Sequence, residues 1–276
     1  MAATGKTLFT IPIPPQGDHV GGTIVASEPA PQVYLLTITS PPDNRLTTAS
    51  CTALLDALDL IEFGDYKPGV VITTSGIQKF YSNGLDLEHA LGTPGFLPNI
   101  LYKLFHRFLT YPMPTIALLP GHAFAGGLML AMHHDYRVMS DSKGFACINE
   151  LDFGVPLKAA MSSIFRLKVP AATYRQLVLE AHRFPGKEAL AGGIVDRLGG
   201  LDEVLRLVEE RKLTGKAKTG IYGLLKAEMY RESVKFLSAQ GYEDEEEKDR
   251  KLIEGEDKRR EDAEKRLESV KAKAKL

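Results

Sequence analysis

Short apolar runs alternate with helical patterns along the first half of the chain, and this alternation is the feature that most constrains the fold. Residues 33–38, 70–74 and 115–119 are rich in β-branched and apolar side chains, as expected for strands that helices cover on both sides. Between the first two runs, apolar residues recur at helical spacing from Thr47 to Gly64. We therefore expect an α/β fold with a largely parallel sheet and ligands near the carboxyl ends of its strands.

Weaker patterns extend this series. Residues 100–109 and 126–134 are predicted to be helical, residues 136–139 and 145–148 to be strands, and the chain from residue 171 onward to be mainly helical. The proline-rich residues 11–15 are predicted to form an extended segment that leads into the fold.

Composition and charge limit the classes of partner. With 44% apolar residues, the chain can bury a core without a metal or disulfide. Lys and Arg total 34 against 35 for Asp and Glu, so no global positive field favours nucleic acid or anionic membrane, and we expect neither as a partner. The only cysteines, Cys51 and Cys147, fit free thiols in a reducing compartment.

The composition changes abruptly after residue 242. An acidic run at residues 243–247 is followed by charges of alternating sign with few apolar residues between them. This pattern predicts a solvated helix or a frayed tail, because no core could form there. We divide the chain into a core domain, residues 1–200, and a helical C-terminal region with a charged tail, residues 201–276.

Two segments place glycine just after a predicted buried strand, where the backbone must approach something closely. They read FYSNGLDL at residues 80–87 and PGHAFAGGL at residues 120–128. Together with NRL at residues 44–46 and NELDFGVP at residues 149–156, they resemble the crotonase (enoyl-CoA hydratase/isomerase) superfamily. The greatest resemblance is to the peroxisomal 3,2-trans-enoyl-CoA isomerases of plants and fungi.

The resemblance implies a crotonase (ClpP-like) spiral of ββα units and an acyl-coenzyme A thioester as substrate. In such a protein the thioester oxygen is held by two backbone amides, which fall here on Leu85 and Gly126. A proton next to a thioester is too weakly acidic for a carboxylate to remove unless fixed donors stabilise the enolate oxygen. The resemblance also implies a bend that holds the coenzyme A moiety, formed by Ser82, Asn83, Gly84, Leu85 and Asp86.

The number of carboxylates separates the two main reactions of the family. Hydratases use two glutamates around one water, whereas isomerases typically use one carboxylate that moves a proton from C2 to C4. The first hydratase position falls on Met129 and the second on Glu150. Glu150 is therefore the predicted general base, and partial burial among Phe145, Leu151 and Phe153 would raise its pKa toward the useful range.

Several other polar residues have alternative interpretations. Asp152 would share a face with Glu150 only if the preceding strand continued, and Asp86 is expected to fix its own loop. The neighbouring residues His133 and His134 point in different directions on a helix, so we expect no metal site there. Lys79 is either a solvated side chain or a contact for a phosphate. No cofactor is expected beyond the coenzyme A that is part of the substrate.

Two further functions remain open at this stage. One is a hydratase-like activity on a branched or secondary-metabolite acyl-CoA, with another group in place of Met129. The other is a non-catalytic binding protein with the same fold. A product assay separates these functions from the leading one, an isomerase of fatty-acid β-oxidation.

The C-terminus resembles a peroxisomal import signal. Its last residues, Ala274, Lys275 and Leu276, are a close variant of the Ser-Lys-Leu peroxisomal signal. We therefore predict a peroxisomal protein that an import receptor binds through this tripeptide. The family resemblance also implies a homotrimer or a pair of trimers.

Overall fold

The computed structural model describes residues 5–274. Its strands are β1 (Lys6–Ile13), β2 (Gly22–Ala30), β3 (Val33–Thr39), β4 (Val70–Ser75), β5 (Phe80–Ser82), β6 (Thr115–Leu119), β7 (His122–Phe124), β8 (Tyr136–Met139), β9 (Ala146–Cys147) and β10 (Arg197–Leu198). Its α-helices are α1 (Thr48–Phe63), α2 (Leu87–Gly92), α3 (Tyr102–Thr110), α4 (Gly126–Met132), α5 (Glu150–Phe153), α6 (Ala159–Lys168), α7 (Ala171–Leu179), α8 (Gly186–Ala191), α9 (Leu201–Glu210), α10 (Tyr222–Met229), α11 (Arg231–Phe236) and α12 (Ala239–Ala274).

The strands form two sheets. The larger has seven strands in the order β1-β2-β3-β4-β6-β8-β10, and the smaller has three in the order β5-β7-β9. Strands β1, β2 and β3 pair antiparallel, whereas the pairs from β3 to β10 and those of the small sheet are parallel.

A repeating ββα unit connects the two sheets. In β4-β5-α2, β6-β7-α4 and β8-β9-α5 the first strand joins the large sheet, the second joins the small sheet, and a helix follows. Because the small sheet is parallel, the carboxyl ends of β5, β7 and β9 lie at one edge. The predicted α/β class and the spiral of ββα units are confirmed, and each unit brings one segment of the candidate site to this edge.

Alternating side chains of the large sheet pack on opposite sides. In β3, Tyr34 and Leu36 belong to the core cluster that also includes α1, α3 and α4, while Val33 and Leu35 belong to a second cluster that α9 covers. This burial on both faces explains why the strand patterns are apolar throughout. The strands predicted at residues 33–38, 70–74 and 115–119 are confirmed as β3, β4 and β6.

The helix predicted from Thr47 is also confirmed, and Thr47 caps it. Its hydroxyl accepts a hydrogen bond of 3.3 Å from the Ser50 amide, and the Ser50 hydroxyl accepts one of 2.9 Å from the Thr47 amide. This reciprocal pair satisfies backbone donors that the first turn would leave free.

Three boundary predictions were inaccurate. Residues 11–15 are not only a lead-in, because residues 6–13 form β1 and pair with β2. The strand predicted at residues 145–148 is reduced to β9, and the helix predicted from residue 100 begins earlier, in a π-helical turn at Leu97–Leu101. Such short or irregular pieces depend on tertiary contacts more than on local pattern.

The charged tail was predicted to be a solvated helix or a frayed segment, and the structure shows a helix. Helix α12 is 36 residues long and mostly exposed beyond its first turns. Near its beginning, Glu246 and Asp249 form ion pairs with Lys158 at 2.6 Å and 2.7 Å. Of the predicted import signal only Ala274 lies within the described residues, and Lys275 and Leu276 lie outside them. Among residues 5–274 no helix combines the length and apolarity needed to cross a membrane.

Candidate active site

The two glycine-bearing loops touch at the carboxyl edge of the small sheet. A Cβ added to Gly84 would lie 3.1 Å from the amide nitrogen of Gly126, and one added to Gly126 would lie 3.3 Å from the amide nitrogen of Leu85. Gly84 also has a φ of 86°, which favours glycine. The structure therefore brings the two predicted amide donors, Leu85 and Gly126, side by side. A Cβ at position 84 would be strained, whereas one at position 126 would crowd the side chain of Leu85.

The amide of Leu85 is held through its peptide neighbours. The amide of Leu46 donates a hydrogen bond of 2.9 Å to the carbonyl of Gly84, which belongs to the same peptide unit as the Leu85 N–H. Arg45 Nη1 donates a bond of 3.0 Å to the Leu85 carbonyl, and Arg45 Nε pairs with Asp43 at 3.2 Å. This support fixes the direction of the Leu85 N–H before any ligand binds.

The amide of Gly126 is fixed by a strained turn. Ala125 adopts a φ of 46°, which is unfavourable for a residue with a Cβ, and its amide donates a bond of 2.9 Å to the carbonyl of Cys147. Gly127 packs so closely that a Cβ there would lie 2.4 Å from the carbonyl oxygen of Ser82. The Gly126 N–H belongs to the first turn of α4, whose amides have no partner within the helix.

The residues of the predicted coenzyme-binding bend have different positions. Ser82 is buried, and its hydroxyl donates to the carbonyl of Asn44 at 2.7 Å and accepts from the amide of Gly84 at 3.2 Å. Asn83 donates to Asp43 at 2.6 Å. Asn83, Leu85 and Asp86 line the adjoining cavity, whereas Ser82 and Gly84 are not among its lining residues. Ser82 and Gly84 thus support the turn from behind.

Both carboxylate oxygens of Asp86 have a polar partner. Its Oδ1 accepts a bond of 2.8 Å from the His89 amide and so caps α2, and its Oδ2 lies 2.6 Å from His19 Nε2. Burial opposes ionisation, but the bonds from the His89 amide and from His19 outweigh it and hold the pKa of Asp86 below its usual value. Asp86 is thus a charged structural anchor, in agreement with the expectation that it fixes its own loop.

A cavity of about 730 Å³ separates this bend from the segment that carries Glu150. Its apolar lining includes Leu87, Leu91, Leu97, Phe153, Leu157 and Met161. Its polar lining includes His19, Arg45, Asn83, Asp86, Glu150 and Lys158. A mainly apolar wall with a few convergent polar groups is typical of a site for a small organic ligand.

Glu150 opens the short helix α5 and faces this cavity. Its Oε2 is buried and has no hydrogen-bond partner among the described residues, and burial raises the pKa of Glu150 to about 7. The expected neighbours were partly wrong, because Leu151 is 56% exposed and neither it nor Phe145 lines the cavity. Asp152 is exposed on α5 and does not continue a strand beside Glu150.

The remaining polar candidates lie elsewhere. Met129 is buried within α4 and does not line the cavity. The Nδ1 atoms of His133 and His134 donate to the carbonyls of Met129 and Leu130, and burial lowers the pKa of His133 to about 3. Across residues 5–274 no three His, Cys, Asp or Glu side chains cluster as metal ligands would. Lys79 lines a separate cavity of about 580 Å³.

Among the residues of the cavity wall that sequence reasoning missed are His19 and Arg45. Arg45 belongs to the NRL segment at residues 44–46, one of the four that carry the family resemblance, so the sequence offered a signal for it. His19 comes from the loop between β1 and β2 and reaches Asp86 across 67 positions of sequence. Its place beside Asp86 depends on tertiary contacts, namely the pairing of β1 with β2 and the bond from the Ala49 amide to Gln16.

Comparisons with known proteins agree with this geometry. The family model for enoyl-CoA hydratase/isomerase matches residues 29–271. The chain is 33% identical to "Enoyl-CoA delta isomerase 2, peroxisomal" of Arabidopsis thaliana over 72% of this chain and 89% of that protein, and 32% identical to "Enoyl-CoA delta isomerase 1, peroxisomal" of the same plant over 73% and 87%.

Solved structures share the fold. A probable enoyl-CoA hydratase of Mycobacterium tuberculosis superposes with a TM-score of 0.71 and 23% identity, over 83% of this chain and 98% of that one. Human mitochondrial delta3-delta2-enoyl-CoA isomerase gives 0.66 and 23%, over 84% and 98%. At this identity the two structures establish the fold alone.

Proposed function

The chain belongs to the enoyl-CoA hydratase/isomerase family, and we propose that it is an isomerase that converts a 3-enoyl-CoA into the 2-trans isomer. The observation that carries this proposal is a buried carboxylate on the cavity wall, Glu150, whose Oε2 has no hydrogen-bond partner within residues 5–274. Glu150 has a pKa of about 7 and faces the cavity that Leu85 also lines. The relatives named as delta isomerases support the same reaction.

The proposed reaction needs one base and two fixed donors. The thioester oxygen accepts hydrogen bonds from the amides of Leu85 and Gly126. The Glu150 carboxylate removes a proton from C2, and the electron pair of that C–H bond forms an enolate whose charge the two amides stabilise. Glu150 then returns the proton at C4, the double bond comes to lie between C2 and C3, and the carboxylate is regenerated.

The count of available carboxylates favours isomerisation over hydration. Hydration requires water to be held and activated, and Met129 occupies the position where a hydratase would carry its first glutamate. Among the other carboxylates of the wall, Asp86 binds His19 and the His89 amide, Asp43 binds Arg45, and Asp18 is exposed to solvent. One free base is sufficient to move one proton from C2 to C4.

The experiment is a product analysis with purified protein. We expect a 3-enoyl-CoA to be converted into the 2-trans isomer without appreciable hydration of a 2-enoyl-CoA, as followed by chromatography and mass spectrometry. A main product of 3-hydroxyacyl-CoA would replace this proposal with a hydratase-like one. Binding of acyl-CoA without turnover of either substrate would indicate a non-catalytic member of the family.

We also propose that the isomerase works in fatty-acid β-oxidation in the peroxisome and forms a homotrimer or a pair of trimers. Two relatives are named peroxisomal, and the chain ends in Ala274, Lys275 and Leu276, which an import receptor would bind. Light scattering of the purified protein measures the oligomeric state. A monomer would contradict the proposed assembly.

Localisation has its own test. A fluorescent reporter that carries residues 265–276 should collect in peroxisomes, and deletion of Leu276 should release it to the cytosol. A reporter that stays diffuse with and without Leu276 would show that the tripeptide does not direct import.

A further inference from the structure

A histidine from outside the family match lies on the wall of the candidate site. The matched region begins at residue 29, whereas β1 and the loop that joins it to β2 precede that residue. This loop contributes Asp18 and His19 to the lining of the cavity that Glu150 faces. The N-terminal hairpin therefore takes part in the site although no family motif covers it.

The loop is fixed around His19. The backbones of Gln16 and His19 exchange two hydrogen bonds of 3.0 Å, and Gln16 Oε1 accepts a bond of 2.9 Å from the amide of Ala49 in the first turn of α1. Gly21 has a φ of 81°, and a Cβ there would lie 2.3 Å from the carbonyl oxygen of Ile13. The backbone of His19 is thus held in place independently of its side chain.

The side chain of His19 forms a close polar pair with Asp86. His19 Nε2 and Asp86 Oδ2 are 2.6 Å apart, and the side chains are 17% and 25% exposed. Since the other oxygen of Asp86 already binds the amide of His89, both oxygens of this carboxylate have a donor. The residue that directly follows Leu85 is therefore held from two sides.

We propose that His19 is a positioning residue for the oxyanion hole, acting through Asp86 on the amide of Leu85. This inference rests on the proposed function, because it concerns the donor that stabilises the enolate. Arg45 and Leu46 hold one side of the turn around Leu85, and His19 holds the other through Asp86. A fixed donor needs no reorganisation when charge develops on the enolate oxygen, whereas a loosened donor does.

The test compares two substitutions of His19. His19→Leu removes the donor and keeps an apolar side chain, while His19→Gln keeps a neutral donor near the place of Nε2. We expect His19→Leu to lower kcat about tenfold with KM changed less than about twofold, a part of the roughly 100-fold effect of losing an oxyanion donor outright. His19→Gln should recover most of that loss.

A control variant lies in the same loop. Val20 is 73% exposed and does not line the cavity, so Val20→Ser should leave kcat and KM unchanged. If His19→Leu does not fold, His19→Asn replaces it, because the shorter side chain does not carry its amide to Asp86.

Two further measurements do not depend on turnover. Acetoacetyl-CoA enolises, and the ultraviolet absorption of its enolate reports how strongly the site stabilises an oxyanion. We expect a weaker enolate band with His19→Leu than with the wild-type protein. Hydrogen exchange of the Leu85 amide should also be faster in this variant.

The outcomes separate this inference from the proposed function. A folded His19→Leu variant with unchanged kcat, enolate band and Leu85 exchange would overturn the inference, as would a loss confined to KM, which would make His19 a direct substrate contact. If the wild-type protein neither isomerises nor enolises a thioester, the proposed function fails. In that case the exchange rate still tests the inference about His19, because only faster exchange of the Leu85 amide in His19→Leu supports the positioning role.

Discussion

The two walls of the cavity are built in different ways. On the oxyanion wall, the bend at residues 82–86 is tied to residues 43–46 by side-chain and backbone hydrogen bonds, and Ser82 is only 2% exposed. On the base wall, Leu151 and Phe153 of α5 are 56% and 64% exposed, and Glu150 Oε2 has no partner within the described chain. One wall is fixed and the other is loosely held.

This difference suits the two tasks of the proposed reaction. Donors stabilise a developing charge best when they are already in place. A base that takes a proton from one carbon and returns it to another must instead adjust its position during turnover. A carboxylate without hydrogen bonds to its reacting oxygen is free to do so, and the same lack of partners leaves its pKa raised by burial.

The largest effect is expected from the loosely held wall. Glu150→Gln keeps the size of the side chain but cannot accept a proton, so kcat should fall about 1000-fold to 10000-fold, near the upper range for loss of a sole base. Acyl-CoA binding, measured by calorimetry, should change little. Asp152→Asn, an exposed change in the same helix, is the control and should keep wild-type turnover.

Full isomerase turnover in Glu150→Gln would show that Glu150 is not the base. The base would then have to lie in another part of the cavity.

The fixed wall should respond next most strongly. Gly126→Pro removes the N–H at the first residue of α4, a position where proline is compatible with a helix. Losing one oxyanion donor should lower kcat about 100-fold to 1000-fold. Gly126→Ala keeps the donor but places a Cβ 3.1 Å from Leu85 Cγ, so its smaller loss measures crowding alone.

Gly92→Ala is the matched glycine control, because a Cβ there meets nothing within 4 Å. Near-wild-type turnover in a folded Gly126→Pro variant would show that the second oxyanion donor is misassigned.

The fixed wall was also the part that the sequence predicted best. Glycine after a buried strand is a local requirement, so Gly84 and Gly126 identified both loops, and the resemblance gave Glu150 as the general base. The family and the fold are confirmed. Their prediction succeeded because four segments occurred in the right order, whereas each alone would be a common turn or helix start.

The remaining features depended on contacts that a sequence does not display. The small sheet consists of strands of two or three residues, which are too short to show alternation. The end of β1, residues 11–13, was predicted to be part of an extended lead-in because the pairing of β1 with β2 is a tertiary contact. The burial of Glu150 was expected in direction, but Leu151 is 56% exposed, because residues 150–153 form the short helix α5.

A change of pH should act on the base wall through Glu150. Glu150 accepts a proton only as a carboxylate, and its pKa is about 7, so kcat/KM should fall about tenfold per pH unit below that value. The free energy of unfolding depends on pH in the opposite direction. Because the pKa rises from 4.5 to about 7 on folding, the folded state binds more protons in this window, and the contribution of Glu150 to stability is lost as pH rises through it.

A pH profile of kcat/KM measures the first effect, and denaturant unfolding of wild type against Glu150→Gln isolates the second. A flat profile between pH 5.5 and 8 would mean that the titrating base is not Glu150.

The smallest effects concern stability and compare the two walls directly. Asn44 is 3% exposed, its Oδ1 accepts from the Ser40 amide at 2.7 Å, and its Nδ2 donates to Ser75 at 2.7 Å and to the Tyr81 carbonyl at 3.1 Å. Asn44→Ala leaves these buried groups without partners, so the free energy of unfolding should drop by about 2–3 kcal/mol.

Asp152→Ala is the counterpart on the base wall and should change the free energy of unfolding by less than about 0.5 kcal/mol, because the side chain is exposed. Urea denaturation at a pH above 7, where Glu150 is ionised, measures both. Because the alanine at position 44 would also have to hold the φ of 53° that Asn44 adopts, part of the loss will be backbone strain. Asn44→Gly relieves that strain and should recover a fraction of it, while the lost hydrogen bonds remain. Equal stability changes for the two walls would contradict the view that only the oxyanion wall is rigid by construction.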